Sequence, residues 1–166
     1  MVQSVLSIGG NQGDRLETLR SAVRAIVGLP GVQLVAVSSV YETPPWGPVA
    51  QPDFLNAAVV VEVSERLSSL AFLHALQEIE NNHGRTRDVH WGPRTLDIDV
   101  VVFGSEVSDL PELVLPHPHA HEREFVLVPW LEVDGEAEIP GLGRVDSLMA
   151  SLDPALVTRK PDLSLM

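Results

Sequence analysis

The chain has 166 residues, of which 45% are apolar, no cysteine, and a formal charge of −12 at pH 7. This length and composition predict a single folded domain over residues 1–166 and exclude a disordered chain. The acidic balance argues against a nucleic-acid or anionic-membrane surface, and the absence of cysteine excludes disulfides and thiolate metal sites. No apolar run approaches the roughly 20 residues of a transmembrane helix, and the first residues lack the basic region of a signal peptide. We therefore expect a cytoplasmic, monomeric protein.

The first part of the chain predicts strands and a helix separated by turns. Residues 2–8 are a candidate strand, and Asp14 is a candidate N-cap for an amphipathic helix that ends before Gly28. Residues 33–41 are rich in β-branched residues and predict a second strand. A proline-rich loop over residues 43–53 then leads to a third strand, Phe54–Val63.

The second part repeats the pattern with a helix and a strand. Ser64 is a candidate N-cap for a helix that reaches Asn82, and residues 97–103 form the next strand. Glu124–Val133 predicts a short helix, with small elements around residues 144–152. The order strand, helix, strand, strand, helix, strand predicts an α+β fold, a ferredoxin-like split βαβ sandwich with one mainly antiparallel sheet and helices packed on it.

Two aspartates stand at the start of the predicted strand 97–103. Asp97 and Asp99 are two residues apart, so their side chains point to the same face, while Leu96 and Ile98 point to the core. Neighbouring carboxylates repel each other unless one is protonated or a cation lies between them. Oxygen ligands of this kind suit Mg²⁺ with phosphate oxygens in its shell. The alternative is a solvated aspartate at a strand entrance.

An arginine-rich loop precedes the two aspartates. Residues 85–94 hold three arginines, Arg85, Arg87 and Arg94, and one acid. Guanidinium groups bind phosphate oxygens bidentately and stabilise charge during phosphoryl transfer. The loop and the carboxylates together therefore suit a polyphosphate–magnesium complex. The alternative is a solvated surface loop.

The proline-rich loop carries features of a site for a flat heteroaromatic ligand. Trp46 lies between prolines, and Phe54 and Asn56 follow the loop. Aromatic faces and an amide suit a ring whose edge needs hydrogen-bond donors and acceptors. A surface loop with Phe54 in the core explains these residues equally well.

Three histidines, His117, His119 and His121, are spaced two residues apart. They could bind zinc, but the intervening proline disfavours regular ligand geometry, and one histidine that contacts phosphate is the better interpretation. The Walker motif Gly-x-x-x-x-Gly-Lys-Ser/Thr is absent, so a kinase of that class is excluded.

Together these motifs resemble the 6-hydroxymethyl-7,8-dihydropterin pyrophosphokinase family of folate biosynthesis. The resemblance covers about residues 2–133. The matching segments are Ser7–Asn11, Tyr41–Pro45, Gln51–Asn56, Gly84–Arg87, Trp91–Asp99, Leu115–Pro118, and Arg123, Phe125 and Val128–Pro129.

The resemblance implies transfer of diphosphate from ATP to the pterin hydroxymethyl group, with release of AMP. It implies that Asp97 and Asp99 hold two Mg²⁺ ions bound with ATP, and that Arg85 and Arg94 bind the reacting phosphates. The further residues that it places at ATP are Gln77, Glu80, Arg87, Val100, His117 and Arg123. Those that it places at the pterin are Thr43, Pro44, Trp46, Phe54, Asn56, Trp91 and Phe125.

The chain departs from the family pattern at four positions. Gly10 replaces the usual serine, and His119 stands where arginine is frequent. Asp88 and Glu112 occupy positions where some members carry basic residues that contact ATP. Two other functions remain open from the residues alone: a non-catalytic ligand-binding domain and a zinc-dependent hydrolase that uses the three histidines.

Overall fold

The computed structural model describes residues 1–45, 47–48, 50–84 and 95–166. The helices and strands within these residues are β1 (Val2–Gly10), α1 (Arg15–Val27), β2 (Val32–Val37), β3 (Tyr41–Thr43), β4 (Phe54–Val63), α2 (Ser69–Asn82), β5 (Asp97–Phe103), β6 (Ser108–Leu110), β7 (Leu113–Leu115), α3 (Glu124–Val133), β8 (Glu138–Ile139), β9 (Gly143–Arg144), α4 (Val145–Leu148) and β10 (Thr158–Arg159).

Within the described residues, six strands form an antiparallel sheet in the order β10-β3-β4-β1-β5, and β2 also pairs with β4. Four strands of this sheet lie in the order β5-β1-β4-β2. In the sequence, α1 connects β1 to β2 and α2 connects β4 to β5, so these elements have the arrangement of a split βαβ fold. Strands β6-β7 and β8-β9 form two further two-stranded sheets. The predicted α+β class with a main antiparallel sheet is therefore confirmed. No described helix has the length and apolar character that crossing a membrane requires.

Apolar side chains cover both faces of the sheet, so the central strands are almost continuously buried. Leu6 and Ile8 of β1 pack on one face with residues of α1 and α2. Val5 of β1 points the other way and packs with residues of α3. We call these the α1–α2 face and the α3 face. This division decides which polar side chains meet in the candidate site.

Helix α1 begins where its cap was predicted, because the Asp14 carboxylate accepts a 3.2 Å hydrogen bond from the Glu17 backbone N–H. The predicted N-cap of the second helix was wrong. Ser68 caps α2 by accepting from the Ala71 N–H at 3.1 Å. The Ser64 N–H instead donates to the Gly31 carbonyl at 2.7 Å. This hydrogen bond lies directly beyond the Val32–Val63 pair, at the end of the β2–β4 pairing.

The predicted strand over residues 33–41 is two strands, β2 and β3. Ser38 lies between them. The Ala58 N–H of β4 donates to the Ser38 hydroxyl oxygen at 2.8 Å instead of to a backbone carbonyl. The break matters because β3 becomes a separate short strand beside the start of β4. Glu132 of α3 accepts hydrogen bonds from the Ser39 N–H and hydroxyl and from the Tyr41 hydroxyl at 2.6 Å. These contacts hold α3 against β3.

The C-terminal segment returns to the sheet. Strand β10 pairs with β3, with Thr158 opposite Glu42 and Arg159 opposite Tyr41. Leu165 then packs into the core on the α1–α2 face. The sequence patterns predicted only small elements in this region, because a two-residue strand carries no periodicity.

Candidate active site

The two aspartates lie side by side at the beginning of β5. Asp97 is opposite Gly9 of β1, and Asp99 is opposite Ser7. Both aspartates are half-buried, whereas Ile98 between them is 3% exposed and packs on the α1–α2 face. The alternation places both carboxylates on the α3 face of the sheet. This is the arrangement that their spacing predicts.

A row of paired residues connects the aspartates with the predicted pterin residues. Gly9 is opposite Asp97 on one side and opposite Asn56 of β4 on the other. Side chains of directly opposed residues share a face of the sheet, so Asn56 lies on the α3 face with Asp97. Two strand spacings separate them, which is about 10 Å. The carboxylates and the amide therefore border one surface.

Asn56 is held by a buried hydrogen bond. Its Nδ2 donates to the Thr43 Oγ1 at 2.8 Å, and the two side chains are 4% and 7% exposed. Phe54 is opposite Thr43 and half-buried. Three of the predicted pterin residues thus lie together at the junction of β3 and β4. Pro44, which follows Thr43, is exposed.

Gly9 makes this arrangement possible. A Cβ on Gly9 would lie 2.7 Å from the Asn56 Oδ1 and 3.2 Å from the Leu55 carbonyl oxygen, both closer than normal contact. The absence of a side chain therefore lets the Asn56 amide lie against β1. It also leaves the sheet surface between Asn56 and Asp97 uncovered. The sequence patterns indicated only a flexible turn here, although a glycine inside a strand is a known signal of close approach.

Residues around α3 border the same face. The His117 N–H donates to the Val101 carbonyl of β5 at 2.9 Å, which places His117 beside the strand that carries the aspartates. The Arg123 guanidinium lies 5.7 Å from the centre of the Phe125 ring. Phe125 packs against the apolar cluster of the α3 face. Phe125, with Arg123 beside it, therefore lies on the side of the sheet where the carboxylates lie, and His117 lies at the edge formed by β5.

The His117 imidazole is neutral near pH 7. Burial, the positive charge of Arg123 and the neighbouring His119 together lower the pKa of His117 to about 4, and burial has the largest effect. A neutral imidazole offers a phosphate a hydrogen bond without a charge. Arg123 is the group of this pair that supplies positive charge.

Two of the predicted ATP residues, Glu80 and Val100, have buried side chains that contact other parts of the protein. Glu80 is 4% exposed, and its Oε2 accepts a 2.8 Å hydrogen bond from the Ile98 N–H, which ties α2 to β5. Val100 is 6% exposed and packs on the α1–α2 face, away from Asp97 and Asp99. A nucleotide contact of Val100 would therefore use its backbone. Gln77, on the same helix as Glu80, is half-buried.

Five predicted site residues lie outside the described residues: Trp46, Arg85, Arg87, Trp91 and Arg94. The same is true of Asp88. Their roles stay predictions. Glu112, another departure from the family pattern, lies 3.2 Å from the Nε2 of His74, and both side chains are exposed.

The described residues do not support the zinc alternative. The rings of His117 and His119 are 6.3 Å apart, and His119 and His121 each lie 3.5 Å from a carboxylate oxygen of Glu122. Among the residues that the structure describes, no group of three or more His, Cys, Asp or Glu side chains could hold a metal ion. The carboxylates of Asp97 and Asp99 fit Mg²⁺ better, because Mg²⁺ binds one or two carboxylates and completes its shell with water and phosphate oxygens.

Sequence comparisons identify relatives over most of the chain. The family model for 7,8-dihydro-6-hydroxymethylpterin-pyrophosphokinase (HPPK) matches residues 5–135. The chain is 46% identical to the 2-amino-4-hydroxy-6-hydroxymethyldihydropteridine pyrophosphokinase of Mycobacterium leprae, over 93% of this chain and 85% of that protein. It is 38% identical to the protein of the same name from Pseudomonas aeruginosa, over 97% of this chain and 99% of that protein.

Solved structures share the fold. The wild-type HPPK-DHPS of Plasmodium falciparum with pteroate has a TM-score of 0.68 at 14% identity, and the match covers 90% of this chain and 44% of that one. An HPPK-DHPS in complex with substrates has a TM-score of 0.69 at 13% identity, with 90% and 42% covered. The chain thus spans less than half of these two proteins, and they support the fold alone. The family model and the full-length relatives show that the chain belongs to the 7,8-dihydro-6-hydroxymethylpterin-pyrophosphokinase family.

Proposed function

We propose that the protein transfers the diphosphate group of ATP to the hydroxymethyl group of 6-hydroxymethyl-7,8-dihydropterin and releases AMP, a step of folate biosynthesis. Membership of the pyrophosphokinase family supports the activity. The structural observation that carries the proposal is the common face of Asp97 and Asp99 on β5 and Asn56 on β4, with β1 between the two strands. A carboxylate pair for a charged phosphate chain thereby lies beside an amide for a heteroaromatic ring.

The pterin end of the site is built from Thr43, Phe54 and Asn56. Because Asn56 Nδ2 donates to Thr43, the orientation of the amide is set before any ligand binds. An amide fixed in this way contributes hydrogen bonds to a ring edge without a further ordering cost. Phe54 and Phe125 offer aromatic faces, and we assign Pro44, Trp46 and Trp91 to the same substrate from the family pattern.

The ATP end of the site is built from Asp97 and Asp99. We propose that they hold Mg²⁺, with two ions bound together with ATP. When bound, Mg²⁺ neutralises phosphate oxygens and stabilises charge on the attacking and leaving oxygens. Arg85 and Arg94 are assigned to the reacting phosphates. Gln77, Glu80, Arg87, Val100, His117 and Arg123 are assigned to the rest of the nucleotide.

The reaction is an in-line displacement. The pterin hydroxymethyl oxygen forms a bond to the β-phosphorus of ATP, and the bond from the β-phosphorus to the oxygen shared with the α-phosphorus breaks. AMP leaves with that oxygen, and the proton of the hydroxymethyl group is released. Phosphoryl transfer depends mainly on positioning and electrostatic stabilisation. The side chains described here accordingly bind and orient the two substrates.

Product analysis tests the proposal. Incubation of the protein with ATP, Mg²⁺ and the reduced hydroxymethylpterin is expected to yield AMP in proportion to pterin diphosphate, and removal of Mg²⁺ with a chelator is expected to stop the reaction. Formation of ADP would indicate transfer of a single phosphate and would contradict the proposal. Pterin binding without any nucleotide product would instead identify a ligand-binding domain.

We also propose that the protein is a monomer and that it acts in the cytoplasm. Analytical ultracentrifugation tests the oligomeric state.

A further inference from the structure

The connection between β1 and α1 contacts the end of the proline segment, which we define as residues 44–53. Asn11 follows β1 and is 1% exposed. Its Nδ2 donates to the Gln51 Oε1 at 2.8 Å and to the Pro52 carbonyl at 2.9 Å. These hydrogen bonds fix the last residues of the segment directly before Phe54.

Arg15 joins the two ends of the proline segment. One nitrogen of its guanidinium group, Nη1, donates to the Glu42 Oε2 at 3.0 Å and to the Asp53 carbonyl at 2.8 Å. Glu42 precedes the segment by two residues, and Asp53 is its last residue. The Arg15 and Glu42 side chains are 30% and 26% exposed, so water screens this pair less than a fully exposed one. We call the three residues Arg15, Glu42 and Asp53 the arginine clamp.

Polar contacts hold these parts together across an open groove. The groove has a volume of about 670 Å³. Its lining residues are Asn11, Gln12, Gly13, Arg15, Glu42, Pro52 and Asp53. Five of these seven residues have polar or charged side chains. The hydrogen bonds of Asn11 and those of the clamp therefore join this part of the chain to the proline segment.

The clamp contacts the neighbours of the proposed pterin residues Thr43 and Phe54. Glu42 is the neighbour of Thr43 in β3, and successive side chains of a strand point to opposite faces. Asp53 is the neighbour of Phe54, and Thr43 and Phe54 are directly opposed. The Arg15 side chain joins the Glu42 carboxylate to the Asp53 carbonyl, so it reinforces the β3–β4 pairing that places Thr43 opposite Phe54 and leaves the α3 face clear.

We propose that Arg15, through Glu42 and Asp53, is a positioning residue that sets the affinity for the pterin without contact to either substrate. The proposal rests on the proposed function, because it requires Thr43 and Phe54 to bind the pterin. Preorganised binding residues lower the ordering cost of the ligand complex. Loss of the clamp should therefore raise the KM for the pterin and leave the nucleotide half of the site unchanged.

The test compares Arg15→Gln with Arg24→Gln. Arg24 lies on the same helix, about 13 Å further along its axis than Arg15, and pairs with Glu17 at 2.8 Å, but these side chains are 64% and 55% exposed. The measurements are the KM for the reduced hydroxymethylpterin, kcat at saturating substrates, the Kd for a non-hydrolysable ATP analogue with Mg²⁺, and the Tm. One or two lost hydrogen bonds predict a rise of the pterin KM by about 5- to 30-fold in Arg15→Gln. The analogue Kd and the Arg24→Gln control should change less than about twofold.

Two further variants separate positioning from general destabilisation. Glu42→Gln keeps the side-chain size, removes the charge that faces Arg15 and the Lys160 Nζ at 3.9 Å, and should also raise the pterin KM. The two effects should be less than additive in the double variant, because both changes remove the Arg15–Glu42 contact. Arg15→Lys keeps a positive donor and should restore part of the affinity. An unchanged pterin KM in both single variants, or an equal loss of pterin and ATP-analogue affinity, would overturn the clamp. A wild-type protein that forms no AMP would instead reject the proposed function.

Discussion

Replacement of Gly9 by alanine is the sharpest perturbation of the candidate site that leaves its polar residues intact. The added methyl group would lie 2.7 Å from the Asn56 Oδ1 and 3.2 Å from the Leu55 carbonyl oxygen. The Asn56 side chain can rotate, but it is 4% exposed and bonded to Thr43. The Leu55 carbonyl belongs to the β1–β4 pairing and can shift only with the strand. Gly9→Ala therefore moves the amide and strains the pairing.

The expected cost combines two effects. Disruption of the buried Asn56–Thr43 hydrogen bond costs about 1–3 kcal/mol, and insertion of a methyl group into a packed region costs a further 1–3 kcal/mol or so. We expect the free energy of unfolding to fall by about 2–6 kcal/mol, compared with a total stability of roughly 5–15 kcal/mol for a typical domain. The displaced amide should raise the pterin KM by at least about tenfold.

Urea denaturation followed by circular dichroism measures the first effect, and steady-state kinetics at saturating ATP measures the second. Gly135→Ala is the matched control, because a Cβ at Gly135 meets no atom within 4 Å. The control should retain wild-type stability and kinetics. A Gly9→Ala protein with wild-type stability and pterin KM would refute the close approach of Asn56 to β1.

Two further predictions concern the charged end of the site. Asp97→Asn and Asp99→Asn should each lower kcat by roughly 100-fold or more while the circular dichroism spectrum is retained; near-normal turnover in either variant would remove the carboxylate pair from the mechanism. The pKa of His117 is lowered from its ordinary value to about 4 by burial and by Arg123, so the unfolded chain binds a proton at this residue that the folded chain does not bind between pH 6.5 and 4. The His117 contribution should therefore reduce stability as the pH falls through that window. An NMR titration is expected to place its midpoint near 4, and a midpoint near 6.5 would contradict the buried position.

Local patterns were sufficient where one strand or helix decides the outcome. The spacing of Asp97 and Asp99 predicts a common face because the side-chain period of a strand is two. Phe54–Val63 and Glu124–Val133 have the predicted bounds, since proline and polar residues delimit each apolar run. Asp14 was recognisable as a cap because its acceptor serves an N–H three residues later in the chain.

Pairing between distant parts of the chain was not predictable in this way. Asn11 and Gln51 are 40 residues apart in sequence, and Arg15 and Glu42 are 27 apart, so no local pattern connects them. The role of Gly9 depends on a neighbour on β4, which appears only when the register is known. Strand β10 consists of two residues and is formed by its partner β3. The missed features are those that tertiary pairing creates.

The most direct test of the central claim follows the phosphates of ATP separately. Two reactions with Mg²⁺ and the reduced hydroxymethylpterin use ATP labelled at the α-phosphate or at the γ-phosphate, each with the wild-type protein and with Asp99→Asn. For the wild type, the α label is expected in AMP and the γ label in the pterin product, at equal rates, and both should be nearly absent for Asp99→Asn. Release of the γ label as free phosphate, or recovery of the α label in ADP, would contradict diphosphate transfer at this site.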